Sequence, residues 1–125
     1  FSVKNYSEPL TYLYEPDVAL LKGGAFKLIS RDYDVKKLNQ NSHLYTSETL
    51  KANFAGRKLL IKKWGEYKAF MKSNKLEKAN IISRNFPLSP EEIKKKHKVK
   101  DGGNDFLIFT TGPNGQLLVV QCSKI

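Results

Sequence analysis

Residues 106–122 read FLIFTTGPNGQLLVVQC and carry the clearest folding signal in the chain. Residues 106–110 and 116–122 have the composition of two β-strands, and Gly112-Pro113-Asn114-Gly115 between them is typical of a hairpin turn. Residues 117–120 are apolar at consecutive positions, so we expect both faces of the second strand to be covered. The stretch therefore predicts a hairpin whose last strand lies inside a sheet.

Upstream of this hairpin, Ser89-Pro90-Glu91-Glu92 has the pattern of a helix start. Serine suits the N-cap, proline suits the first helical position, and Glu92 stands three residues after the serine, as in a capping box. The pattern predicts a helix to about Lys98, ended by Asp101-Gly102-Gly103.

Further elements alternate along the rest of the chain. Short strands are predicted over residues 12–14, 43–46, 58–64 and 79–84, and helices over residues 17–31 and 66–75. Strands separated by helices indicate a mixed sheet with helices packed on it. We expect a single α/β (α+β) domain over residues 1–125, with a ferredoxin-like or split βαβ pattern in the second half, from Lys58 onward.

The positive charge of the chain is concentrated in one stretch. Lys and Arg number 22 against 12 Asp and Glu, a net charge of +10. Residues 51–100 hold 15 Lys and Arg but only four Glu, so all of this surplus lies there. The asymmetry favours a surface that binds a polyanion, such as nucleic acid or an acidic membrane. A set of solvated helix faces would have the same composition.

Several functional classes lack a sequence signal. Cys122 is the only cysteine, so we expect no disulfide framework, no cysteine zinc site and a reducing, cytoplasmic location. We interpret Cys122 as a buried, inert thiol. The apolar run 117–120 is too short to cross a bilayer, and the glycine spacing fits no nucleotide-binding loop. We therefore expect no catalytic residues, no metal, no cofactor in this chain and no membrane partner.

Lysines and aromatic residues that lie close together in the basic stretch are candidate contacts to RNA. Basic side chains contact phosphates, and an aromatic ring can stack on the bases of a single strand. The predicted RNA-binding residues are Lys62, Lys63, Trp64, Lys68, Arg84, Lys94, Lys95 and Lys96. The alternative for Trp64 is a core position, because strand alternation would place it on the same face as Leu60 and Lys62.

Five segments resemble one known family. Residues 14–26, YEPDVALLKGGAF, are similar to the segment that opens the C-terminal THUMP-like domain of bacterial class I S-adenosylmethionine-dependent methyltransferases. Residues 37–45 (KLNQNSHLY), 54–57 (FAGR), 84–96 (RNFPLSPEEIKKK) and 101–103 (DGG) resemble later segments of that family, in the same order. Ala55 stands where the family usually has proline.

The resemblance implies a detached C-terminal domain, whose catalytic, S-adenosylmethionine-binding domain lies upstream. The start at Phe1 rather than Met agrees with this expectation. By analogy with true THUMP domains, the chain is expected to bind RNA, with tRNA as one class, and to present substrate without catalysing its methylation. The alternative is a docking domain that completes the methyltransferase domain without binding nucleic acid. In that case the residues facing the partner domain would be Tyr14, Glu15, Gly23, Gly24 and Phe26.

Overall fold

The computed structural model describes residues 6–17 and 33–125. Within these ranges the elements follow one another as strands with two intervening helices. In chain order they are β1 Tyr12–Pro16, β2 Lys36–Lys37, β3 Tyr45–Ser47, β4 Gly56–Glu66, α1 Tyr67–Ser73, β5 Asn80–Ser83, α2 Pro90–His97, β6 Asp105–Thr111 and β7 Leu117–Lys124. The helix predicted over residues 17–31 lies outside the described residues except for Asp17.

The seven strands form one mixed sheet in the order β2-β3-β1-β4-β7-β6-β5. Strands β5 and β6 are parallel, and the other neighbouring pairs are antiparallel. The hairpin predicted from residues 106–122 is formed by β6 and β7, and β7 lies between β4 and β6. The predicted mixed α/β domain with helices on a sheet is therefore confirmed.

The sheet is strongly curled. Three strands separate β1 from β5, so in a flat sheet these two would lie roughly 19 Å apart at about 4.8 Å per step. Instead, Arg84 Nε, just after β5, donates a hydrogen bond to Glu15 Oε2 on β1. Asn39 Nδ2, between β2 and β3, likewise donates to the Gly112 carbonyl after β6 at 2.9 Å. The two halves of the sheet thus meet around a shared interior.

The two sides of the sheet bury different sets of residues. The inner side of the curl holds an apolar cluster drawn from four strands and the loops beside them, namely Leu13, Leu38, Leu44, Leu59, Phe106, Ile108, Val120 and Cys122. On the opposite side, which we call the helix side, Phe70 of α1 and Ile93 of α2 pack on Leu107, Phe109 and Val119. Neither helix in the described ranges has the length and apolar character needed to cross a membrane.

Strand β4 contains an irregularity that sequence alternation misplaces. Its pairing with β7 shifts between Ile61 and Lys63, as at a β-bulge, where one strand has an extra residue. Because of this shift, Trp64 projects to the same side as Ile61 and packs half-buried on the inner cluster. The expectation that Trp64 shares a face with Lys62 and Leu60 is therefore wrong.

Candidate nucleic-acid interface

Both helices on the helix side of the sheet begin with a side-chain cap. Glu66 caps α1 by accepting the backbone N–H groups of Lys68 and Ala69. Helix α2 begins with the predicted capping box, in which Ser89 Oγ accepts from Glu92 N and Glu92 Oε1 accepts from Ser89 N. These caps fix both helix starts in the basic stretch.

The contact between the helices is formed by Tyr67 and His97. The Tyr67 hydroxyl and His97 Nε2 are hydrogen-bonded at 2.6 Å, and the two rings meet edge to face. Burial, and then the nearby charge of Lys96, lower the pKa of His97 below its usual value. His97 itself is partly exposed, whereas Ile93 on the same helix is buried.

Four lysines project into solvent from these helices, and we call them the lysine face: Lys68, Lys72, Lys95 and Lys96. Lys68 and Lys72 are one helical turn apart on α1, so they lie on the same side of that helix. Lys96 Nζ is 5.8 Å from the centroid of the Tyr67 ring, so Lys96 of α2 lies beside the first turn of α1. Among residues 6–17 and 33–125, no acidic side chain forms an ion pair with any of the four.

Lys94 has a different role from its neighbours. Its ammonium group forms ion pairs with Asp101 at 3.0 Å and Glu91 at 3.2 Å, and its side chain is only 19% exposed. The hydrogen bond to Asp101, and then the one to Glu91, raise the pKa of Lys94. This predicted RNA contact is therefore engaged in fixing the end of α2.

Lys62 and Lys63 of β4 are exposed, and each contacts another part of the fold. Lys62 Nζ pairs with Asp105 at 3.0 Å, and Gln121 Nε2 donates to the same carboxylate at 2.8 Å. The bond from Gln121, followed by that from Lys62, lowers the pKa of Asp105. Lys63 Nζ donates to Asn74 Oδ1 at the C-cap of α1. Both lysines are therefore exposed, but each ammonium group already contacts another side chain of the domain.

Trp64 and Arg84 are not brought together with these lysines. Trp64 packs on the inner cluster, on the opposite side of the sheet from the helices. Arg84 is held by its ion pair with Glu15 and by a hydrogen bond from its Nη1 to the Ser83 carbonyl. The predicted RNA-binding set is therefore divided between the two sides of the sheet.

The residues predicted for domain docking are engaged within the fold or lie outside the described part. Tyr14 has no exposed surface, and its hydroxyl is hydrogen-bonded to Ser47 Oγ at 2.7 Å and accepts Lys51 N at 2.9 Å. Glu15 pairs with Arg84. Gly23, Gly24 and Phe26 lie outside the described residues. Docking through this segment stays a prediction.

The one cysteine of the chain, Cys122, is buried and is therefore not available as a nucleophile. Cys122 is fully buried in the inner cluster, and burial, then the charge of Asp105, raise its thiol pKa to about 12. A thiol in this environment stays protonated and unreactive at neutral pH. No group of three or more His, Cys, Asp and Glu residues in the described ranges is placed to hold a metal ion.

Lys72 is the member of the lysine face that the sequence analysis omitted. The available signal was its position four residues after Lys68 in a predicted helix, which places two lysines on one side. In this part of the chain, the predicted set contained only the lysines within four residues of Trp64.

Comparison with known proteins gives a consistent family assignment. A family model described as a ferredoxin-like domain matches residues 12–54, and one described as THUMP domain-like matches residues 56–124. No curated protein matches the chain. The crystal structure of a "putative methyltransferase" from Porphyromonas gingivalis W83 matches with a TM-score of 0.87 and 37% identity over 95% of this chain. Our chain covers 31% of that protein. The THUMP domain-like model covers more than half of the chain, and the chain therefore belongs to that family.

Proposed function

We propose that this chain is the noncatalytic, RNA-binding domain of a class I S-adenosylmethionine-dependent methyltransferase. It would lie C-terminal to a catalytic domain that holds the cofactor, and RNA, including tRNA, would be its partner. The observation that carries RNA binding is the lysine face, in which Lys68, Lys72, Lys95 and Lys96 are exposed on two joined helices. Membership of the THUMP domain-like family and the likeness to the Porphyromonas gingivalis protein support the link to methylation.

The acidic residues of the basic stretch leave the lysine face positively charged. Of its four glutamates, Glu66 and Glu92 cap their helices and Glu91 pairs with Lys94. Glu77, after α1, is exposed and forms no ion pair with the four lysines. The four ammonium groups therefore repel one another in the free domain. A phosphate backbone relieves this repulsion, and its condensed counterions are released into bulk solvent when lysines replace them.

The test of RNA binding is a salt titration of the 125-residue chain with fluorescently labelled tRNA. Four phosphate contacts predict that log affinity falls against log salt with a slope of about −3.6, a loss of about 100-fold between about 50 and 200 mM salt. Replacing one lysine of the face, for example Lys95→Ala, should lower the steepness by about one unit. An affinity that does not change with salt would contradict the proposal.

A matched control is available at the far edge of the sheet. Lys36 is exposed on β2, whereas the helices lie over β4 to β7. Lys36→Ala removes the same charge as Lys95→Ala and should leave the slope unchanged. Equal loss in both variants would mean that overall charge, rather than the lysine face, binds the RNA.

The link to methylation has its own test. The reading frame that encodes this chain is expected to encode an S-adenosylmethionine-binding domain upstream of Phe1. In the full-length protein, a variant with all four lysines of the lysine face replaced by alanine should retain cofactor binding. Transfer of a labelled methyl group to RNA by this variant should fall by at least tenfold. Unchanged methyl transfer to RNA in that variant would contradict a role in presenting substrate.

A further inference from the structure

We propose that the lysine face binds the phosphate backbone of base-paired RNA rather than the bases of a single strand. This inference rests on the proposed function and specifies the class of RNA. It departs from the sequence-based interpretation, in which Trp64 next to Lys62 and Lys63 favoured stacking on unpaired bases.

The aromatic rings near the lysine face are not available for stacking. Single-stranded RNA is bound chiefly by stacking its bases on exposed aromatic side chains. Tyr67 is 7% exposed and bonds His97, while Phe86 is half-buried with its ring edge-on to Tyr67 and Phe109. Every aromatic side chain in residues 6–17 and 33–125 is buried or half-buried.

Trp64 is separated from the lysine face by the sheet itself. The bulge in β4 turns its indole to the inner cluster, while Lys63 on the same strand bonds Asn74 at the end of α1 on the helix side. One RNA strand lying on α1 and α2 cannot stack on a ring that packs beneath the sheet.

The described arginines are also engaged away from the lysine face. Arg57 lies over the Phe106 ring at 5.3 Å, and Arg84 pairs with Glu15. Arginine forks read base edges and stack on bases, whereas lysine acts as a hydrated point charge that contacts phosphate. A face built from lysines alone is thus suited to a regular array of phosphates, as in an A-form duplex, and carries little base-specific information.

The experiment compares a labelled RNA duplex of about 16 base pairs with one of its strands, chosen to have no self-complementarity. Four contacts give slopes of about −3.6 for the duplex and −2.8 for the strand. With equal affinities at about 1 M salt, this difference makes the duplex bind about sixfold more tightly at about 0.1 M salt. Two duplexes of unrelated sequence should bind within about twofold of each other.

Trp64 supplies an independent readout, because it is the only tryptophan in the chain. Its fluorescence should not change when either RNA saturates the protein, and Trp64→Phe should bind both RNAs as the wild type does. Tighter binding of the single strand, with quenched fluorescence and loss of affinity in Trp64→Phe, would overturn the inference while leaving RNA binding intact. If neither RNA binds and only anionic vesicles do, both this inference and the proposed function fail.

Discussion

Glu15 and Arg84 show how the fold changes the meaning of individual charged residues. In the sequence they lie 69 positions apart, and each was assigned to a different surface. In the structure they form one ion pair, with Glu15 20% and Arg84 46% exposed. The pair joins β1 to the residue after β5, so it contributes to closing the curled sheet. A count of charged residues cannot distinguish an arginine that pairs with a carboxylate of the same chain from one that is free to bind a ligand.

The strength of this pair can be measured by a double-mutant cycle of Glu15→Gln and Arg84→Gln. Because the guanidinium is nearly half exposed, solvent screens the interaction, and we expect a coupling energy of at most about 1 kcal/mol. The control pair is Glu91 and Lys94 on α2, where the glutamate is 82% exposed and a smaller coupling energy is expected. Urea unfolding gives both values. A coupling of zero for Glu15 and Arg84 would show that the contact does not stabilise the closure.

The lowered pKa of His97 predicts that the free energy of unfolding depends on pH. Its pKa is lowered in the folded state, first by burial and then by Lys96, so the folded protein favours the neutral ring. The stabilisation is fully present above the unfolded pKa of about 6.5 and is lost as the pH falls through the folded value. The free energy of unfolding should therefore decrease from about pH 8 to about pH 5.5.

The variant His97→Gln tests this assignment, because its amide can still bond the Tyr67 hydroxyl but does not titrate. It should lose less stability over the same pH range than the wild type. His43 contributes with the same sign, since burial and then Lys37 lower its pKa, so His43→Gln is measured in parallel. An unchanged pH profile in His97→Gln would assign the effect to His43 or to other groups.

At the scale of single elements, helix α2 is the part that the sequence specified most completely. Its capping box, its proline at the first position and its end near Lys98 all depend on residues within one or two turns. Ser89→Ala removes the acceptor for Glu92 N and should lower the free energy of unfolding by about 1 kcal/mol. The measurement is urea unfolding followed by circular dichroism.

Glu91→Gln is the control for this substitution, because Glu91 lies in the same first turn but outside the capping box. It loses only the ion pair to Lys94 and should change the free energy of unfolding much less than Ser89→Ala does. If both variants lost the same stability, the general charge of the first turn rather than the cap would be responsible.

The limits of sequence-based prediction lie where an element depends on distant partners. The β6–β7 hairpin was predictable because its turn residues lie between its strands. The bulge in β4 was not, because its position is set by pairing with β7, more than fifty residues away. Strand β2 is two residues long and was absent from the prediction, and β3 begins at Tyr45 rather than His43. In the candidate site, three of the four lysines of the lysine face were predicted from the sequence, whereas the side of the sheet that Trp64 occupies was not.

At the scale of the whole molecule, curling separates the two described arginines from the lysine face. The inner side and its rim hold the two described arginines, one over Phe106 and one paired with Glu15. The helix side holds the lysine face. The net charge and the strand order would also allow the arginines and the lysine face to share one surface, because neither specifies how far the sheet bends. The separation follows from long-range contacts such as that of Asn39 with Gly112.

The same long-range contacts predict that the chain unfolds as one unit, although two family models divide it at residues 54 and 56. Leu13 of β1 is 1% exposed and packs in the cluster that also holds Leu59 and Val120 and supports Trp64. Leu13→Ala should therefore lower the free energy of unfolding by about 3 kcal/mol and shift the transition that Trp64 reports. Leu60→Ala, at a side chain that is 38% exposed, should cost under about 1 kcal/mol.

The measurement is urea unfolding followed by both tryptophan fluorescence and far-ultraviolet circular dichroism. A single cooperative unit gives coincident curves for the two signals, in the wild type and in Leu13→Ala. Two independent units would give a different result, because Leu13 lies in the first matched segment and Trp64 in the second. The Trp64 transition would then be the same in Leu13→Ala as in the wild type, and circular dichroism would show a second step. Coincident and jointly shifted curves would mean that the THUMP domain-like segment depends on β1 to complete its core, so the lysine face is held in place by residues from the whole chain.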